Sequence, residues 1–93
     1  MTADLSGKCL IEISGEGCDA CLAVMPCCSE IAKNFNLKFV HIRIEDDPSV
    51  VGRYNLERIP TIILAEDGEP FAKCSGYQPP EILELWVQAK LGG

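Results

Sequence analysis

Apolar side chains along this 93-residue chain recur at two different spacings, and the switch between them sets the expected order of elements. Residues 8–14 (Lys-Cys-Leu-Ile-Glu-Ile-Ser) form a short, mostly apolar run stopped by Gly15, the pattern of a strand covered on both faces. Over residues 18–35 the apolar positions 24, 28, 31, 32 and 35 line one face of a helix. Pro26 lies inside that helix and is expected to kink it, because proline lacks the N–H and crowds the preceding turn. Residues 37–44 alternate apolar and polar side chains with β-branched enrichment, which predicts a second strand, ended by Glu45-Asp-Asp-Pro48. A short helix is expected over 49–55 and a third strand over 60–65, with a turn at Glu66-Asp-Gly68 and a return strand over about 70–75 that Gly76 breaks. Pro79-Pro-Glu then opens a closing helix to residue 91, with Ile82, Leu83, Leu85, Trp86 and Ala89 as its core candidates. The order is strand, helix, strand, short helix, strand, strand, helix, an α/β unit joined to a hairpin and a last helix.

Composition narrows the setting. Ninety-three residues suit one domain spanning 1–93, and 47% hydrophobic with 24% charged residues is a globular balance rather than a disordered one. The formal charge of −6 repels nucleic-acid phosphates and anionic membrane surfaces, so neither is an expected partner. The opening residues have no basic or apolar leader pattern, and no run approaches the roughly 18 apolar residues of a membrane span. A soluble, monomeric, cytoplasmic protein is expected. Six cysteines in so short a chain could form a secreted disulfide scaffold, but such scaffolds are loop-rich, and this chain alternates strands and helices. In a reducing compartment most of the thiols remain free.

One cysteine pair stands out. Cys18-Asp-Ala-Cys21 places two thiols three residues apart where a loop becomes a helix, close enough to close a small disulfide ring. Helix onset supplies unpaired N–H groups and the positive end of the dipole, which favour a thiolate on Cys18, the reacting species in disulfide exchange. Cys18 is then the expected nucleophile and Cys21 the resolving thiol. Spacing alone does not separate this reading from a zinc half-site or a packed pair, but the position after a strand and before a helix favours redox chemistry.

With these residues in view, the chain from about 8 to 91 resembles the thioredoxin-like family. Gly17-Cys-Asp-Ala-Cys21 with Pro26 five residues on is similar to the family's active-site helix, and Arg58-Ile-Pro-Thr61 is similar to its Ile-Pro-Thr segment. Asp67-Gly68 and Gly76 fall where the family has its hairpin turn and strand-ending glycine. The resemblance implies a minimal four-stranded mixed sheet in the order 2-1-3-4 with about three helices. It also implies a cis bond before Pro60, in keeping with the near restriction of cis bonds to X-Pro, and a role for Ile59, Pro60, Gly17 and Gly76 in holding an extended substrate. Glu12, six residues before Cys18, falls where the family carries a buried acid, and Arg43 where it carries a lysine near that acid. A carboxylate there could take the proton of Cys21 as general base. The other reading of Glu12 is a solvent-facing residue on an edge strand.

The implied activity is dithiol–disulfide exchange with protein substrates, without an organic cofactor or metal, recharged by a reductase that the sequence does not identify. The alternative is an adaptor or redox-sensing module that keeps the scaffold without turnover. Several residues depart from the family: Gly17 stands where a Trp is usual, and Asp19-Ala20 where Gly-Pro is usual. Asp19 and Glu16 oppose thiolate formation on Cys18 and are expected to make the pair more reducing. Cys27 and Cys28 are expected to pack as small hydrophobes, Cys9 and Cys74 to be inert strand residues, and His41 to be an exposed or hydrogen-bonded residue rather than a ligand.

Overall fold

The computed structural model describes residues 4–92. Seven elements follow one another: β1 (Lys8–Ser14), α1 (Asp19–Asn34), β2 (Lys38–Arg43), α2 (Val50–Arg53), β3 (Thr61–Glu66), β4 (Glu69–Ser75) and α3 (Pro80–Lys90). The sheet order is β2-β1-β3-β4, with β1 parallel to β2 and antiparallel to β3, and β3 antiparallel to β4. β1 is therefore an inner strand, which is why its sequence is apolar on both faces.

The period of two in β1 and β3 splits the core in half. Leu10, Ile62 and Leu64 belong to a cluster with Val24, Cys28 and Ile31 of α1 and Leu83 and Val87 of α3. Ile11, Ile13 and Ile63 belong to a second cluster with Val40, Ile42, Val50 and Tyr54 on the side of α2. Each large aliphatic side chain fully buried in this way contributes roughly 1.5–3 kcal/mol. Helices thus cover both faces, and β4, mostly exposed, forms one edge beside the better protected β3, with β2 at the other.

Local chemistry sets the ends of the elements. Pro26 has no N–H to give the Leu22 carbonyl, yet α1 runs on through it to Asn34. Beyond α1, Asn36 takes a left-handed φ of 60° and the Leu37 N–H donates to the Ala32 carbonyl at 2.7 Å, closing the helix as a Schellman-type cap. Asp67 and Gly68, both with positive φ, make the two-residue turn whose twist matches the hairpin it joins. The closing helix corrects one expectation. Leu83 and Val87 are its buried residues and Trp86 is half-buried, whereas Ile82, Leu85 and Ala89 are exposed. The stripe that meets the core runs at a spacing of four from Leu83, so 82, 85 and 89 fall on the outer face.

Candidate active site

β1 delivers the chain to the site. After Ser14 it turns through Gly15, Glu16 and Gly17, the last at a φ of 73° that favours glycine, and Cys18 then caps α1. The Cys18 backbone is extended (φ −100°, ψ 96°), which turns its sulfur back over the first turn, where Sγ accepts the Cys21 N–H at 3.1 Å. Cys18 and Cys21 are joined in a disulfide across a Cα separation of 5.3 Å. Cys21 is 1% exposed and Cys18 only partly buried, so another molecule can reach the pair through Cys18 alone. First-turn N–H groups and the positive helix end both favour negative charge on that outer sulfur.

A second loop closes on the first. The Ile59–Pro60 bond is cis and Pro60 is buried. The Pro60 carbonyl accepts the Gly76 N–H at 2.7 Å, and Thr61 Oγ1 donates to the Arg58 carbonyl at 2.6 Å. Gly76 has a φ of 86°, and a β-carbon there would sit 3.2 Å from Arg58 Cδ. A β-carbon on Gly15 would lie 2.9 Å from Ile59 Cδ1, so the proline loop packs directly on the turn that leads to Cys18. The fold thus brings Gly17, Cys18 and Cys21 to one rim, and Ile59, Pro60 and Gly76 to a loop packed against it.

Beneath the rim lies Glu12, fully buried at the centre of the inner strand β1, which excludes the edge-strand reading. Neither carboxylate oxygen has a hydrogen-bond partner, and burial pushes the carboxyl up to about 7. By strand alternation it shares the face of Leu10 and Ser14, over which α1 packs. Its charge reaches α1, where it adds to the burial that pushes the Cys28 thiol up to about 12.

The basic residue aligned with Glu12 is not Arg43. In the β1/β2 ladder Glu12 is paired with His41, and Arg43 stands two residues on, opposite Ser14. Arg43 Nε lies 3.4 Å from Glu45 Oε1, an exposed ion pair, and Glu45 Oε2 accepts the Glu16 N–H at 2.8 Å. That backbone hydrogen bond, with one from Glu45's own N–H and a smaller effect of the Arg43 charge, holds the Glu45 carboxyl below its usual value. Sequence reasoning has no means of choosing this register, because β1 and β2 are joined by a helix and not by a turn of fixed length. It also passes over Ser14, whose Oγ shares a 2.6 Å hydrogen bond with His41 Nε2. The available signal is spacing: Ser14 follows Glu12 by two, so both point to the face of α1. Ser14 and His41 line a cleft of about 280 Å³ together with Cys18, Cys21, Leu22 and Met25, among others.

The four other cysteines are free. Cys9 and Cys28 are buried, while Cys27 and Cys74 are partly exposed. Burial raises the thiols of Cys9, Cys28 and Cys74, which favours the unreactive protonated form.

Comparison with known proteins agrees with this geometry. The thioredoxin family model matches residues 2–89. Thioredoxin of Staphylococcus epidermidis is 32% identical over 80 residues, covering 84% of this chain and 77% of that protein. Thioredoxin of Staphylococcus saprophyticus is 31% identical over 88 residues, covering 92% and 85%. Among solved structures, a single-residue mutant of thioredoxin from Halobacterium salinarum superposes with a TM-score of 0.80 at 18% identity, covering 94% of this chain and 77% of that one, which shows the shared fold. The chain belongs to the thioredoxin family. It is a thiol–disulfide oxidoreductase, and the redox pair that the family activity requires is Cys18 and Cys21. Among the described residues, no helix is long and apolar enough to cross a membrane.

Proposed function

We propose that the protein reduces disulfides of protein substrates with Cys18 as the attacking sulfur and Cys21 as the resolving one. The observation that carries this assignment is the asymmetry of the pair: Cys18 caps the helix and meets solvent, while Cys21 is 1% exposed beneath it. In the reduced protein the Cys18 thiolate attacks one sulfur of the substrate disulfide, forming a mixed disulfide and releasing the other substrate sulfur as a thiolate. The Cys21 thiol loses its proton to the Glu12 carboxylate, and its thiolate attacks Cys18, releasing the second substrate sulfur. The substrate gains two electrons and the protein is left with the Cys18–Cys21 disulfide.

Glu12 suits the proton step because burial has brought its carboxyl up to about 7, near working pH, and because it lies under the helix that carries Cys21. The Ile59–Pro60 loop, with Gly76 behind it and Gly17 across the rim, offers backbone groups to an extended segment around the substrate disulfide. A separate reductase would restore the dithiol, and the setting we favour is a monomer in the cytoplasm. Replacement of Cys21 by serine tests the roles. The Cys21→Ser variant should accumulate a mixed disulfide through Cys18 with a disulfide-bonded protein, seen as one added mass that dithiothreitol removes. Adducts at Cys27 or Cys74 in place of Cys18 would contradict the assignment.

A further inference from the structure

The hydrogen bond between Ser14 and His41 has no part in the exchange chemistry above, yet both residues wall the cleft that holds the disulfide. His41 is exposed to solvent and Ser14 is 5% exposed, so the pair joins bulk water to the floor of the site. We infer that His41 and Ser14 form a positioning dyad in which the protonation of the exposed imidazole decides whether the Ser14 hydroxyl donates a hydrogen bond into the disulfide cleft. This rests on the reading of Cys18 and Cys21 as the working pair.

The argument is one of donors and acceptors. Serine has a single O–H and two lone pairs, and its hydroxyl turns to suit its partner. A neutral ring that accepts at Nε2 takes the Ser14 O–H, leaving only serine lone pairs for the cleft. A protonated ring must donate at Nε2, so Ser14 becomes the acceptor and its O–H is free to donate inward. At 2.6 Å the two groups are hydrogen-bonded, and which of them donates follows the protonation of the ring. A donor released into the cleft favours whatever negative charge develops there, and in the reduced protein that charge is a thiolate. Titratable groups facing the imidazole are Glu12 across the ladder, Arg43 on its own strand, Glu16 and Cys18 before α1, and Asp19 and Cys21 within it. Arg43 is occupied by Glu45, and Glu16 and Asp19 are exposed, so Ser14 is the direct link from His41 to the cleft floor.

His41 is the only histidine, so its imidazole resonance can be followed alone by NMR while ultraviolet absorbance reports thiolate in the fully reduced protein. Where the NMR titration shows the imidazole charged, the wild type should carry roughly threefold more thiolate than His41→Gln, and the curves should converge where it shows the ring neutral. Ser14→Ala should fall to the level of His41→Gln although its imidazole still titrates, and Ser14→Thr, which restores a hydroxyl, should recover the wild-type curve. Glu12 faces the imidazole, and repeating the four curves in a Glu12→Gln background removes its titration from the comparison. Either Ser14→Ala or His41→Gln superimposing on the wild type would overturn the proposal, as would failure of Ser14→Thr to recover in a folded protein. Disulfide reduction by the wild type, measured where the imidazole resonance shows the ring neutral, reports separately on the exchange reading.

Discussion

At the scale of single residues the informative group is Glu12. A carboxyl with no exposed surface and no hydrogen-bond partner costs stability whenever it is ionised. Its ordinary value is 4.5 and burial raises it to about 7, so between these limits the folded chain holds a proton that the unfolded chain has released. Stability contributed by this group is therefore full at low pH and is lost as pH rises through that window, by about 3 kcal/mol in all. Denaturant unfolding of the oxidised protein should show this decline, and Glu12→Gln should flatten it; a wild-type curve that stays level from about pH 4.5 to 7 would be inconsistent with an unpartnered acid. The same variant should slow resolution of the mixed disulfide by roughly 10²–10⁴-fold if the carboxylate is its general base, read by quenching the exchange at intervals.

Much of this site is legible in the sequence. Cys18 and Cys21 stand out because their spacing coincides with the change from strand to helix, and Ile59 and Pro60 through the resemblance of Arg58-Ile-Pro-Thr61 to the family's Ile-Pro-Thr segment. What is not legible is which residues meet across the sheet. Arg43 and His41 share one face of β2, and only the register decides that His41 pairs with Glu12 while Arg43 pairs with Ser14. Parallel strands joined through a helix leave no local mark of register in the sequence.

At the scale of elements, the strands can be read closely because a run such as Leu10 to Ile13 has nowhere to go but the interior. The last helix is harder. Its apolar residues Ile82, Leu83, Leu85, Trp86 and Val87 surround more than one side, so the pattern alone does not state its phase. Packing chooses the stripe of Leu83 and Val87, both fully buried, and leaves Leu85 62% exposed. Leu83→Ala should accordingly cost about 2–5 kcal/mol by lost burial and cavity formation, whereas Leu85→Ala should stay within about 0.5 kcal/mol. Equal losses from the two variants in denaturant titrations would place α3 in a different rotation. α1 carries a related division: Cys21, Val24 and Cys28 form its inner stripe, and Cys18, at its cap, is the thiol presented outward.

At the scale of the whole molecule, the sheet serves to bring two loops together at one end. β1 leads into the turn before Cys18, β3 begins after Pro60, β4 ends at Gly76, and the contact of Gly15 with Ile59 ties these ends to one another. The larger depression of about 650 Å³ lies at the other end of β1, around Lys8, Asp67 and Phe71, and contains no cysteine. The disulfide lies at the Ser14 end of the sheet, with one of its two sulfurs accessible. The most direct test is the rate at which the protein accelerates reduction of insulin by dithiothreitol. The wild type should shorten the lag before the insulin chains precipitate, and Cys18→Ser should be no faster than dithiothreitol alone. A Cys18→Ser variant as fast as the wild type would contradict the account at its centre.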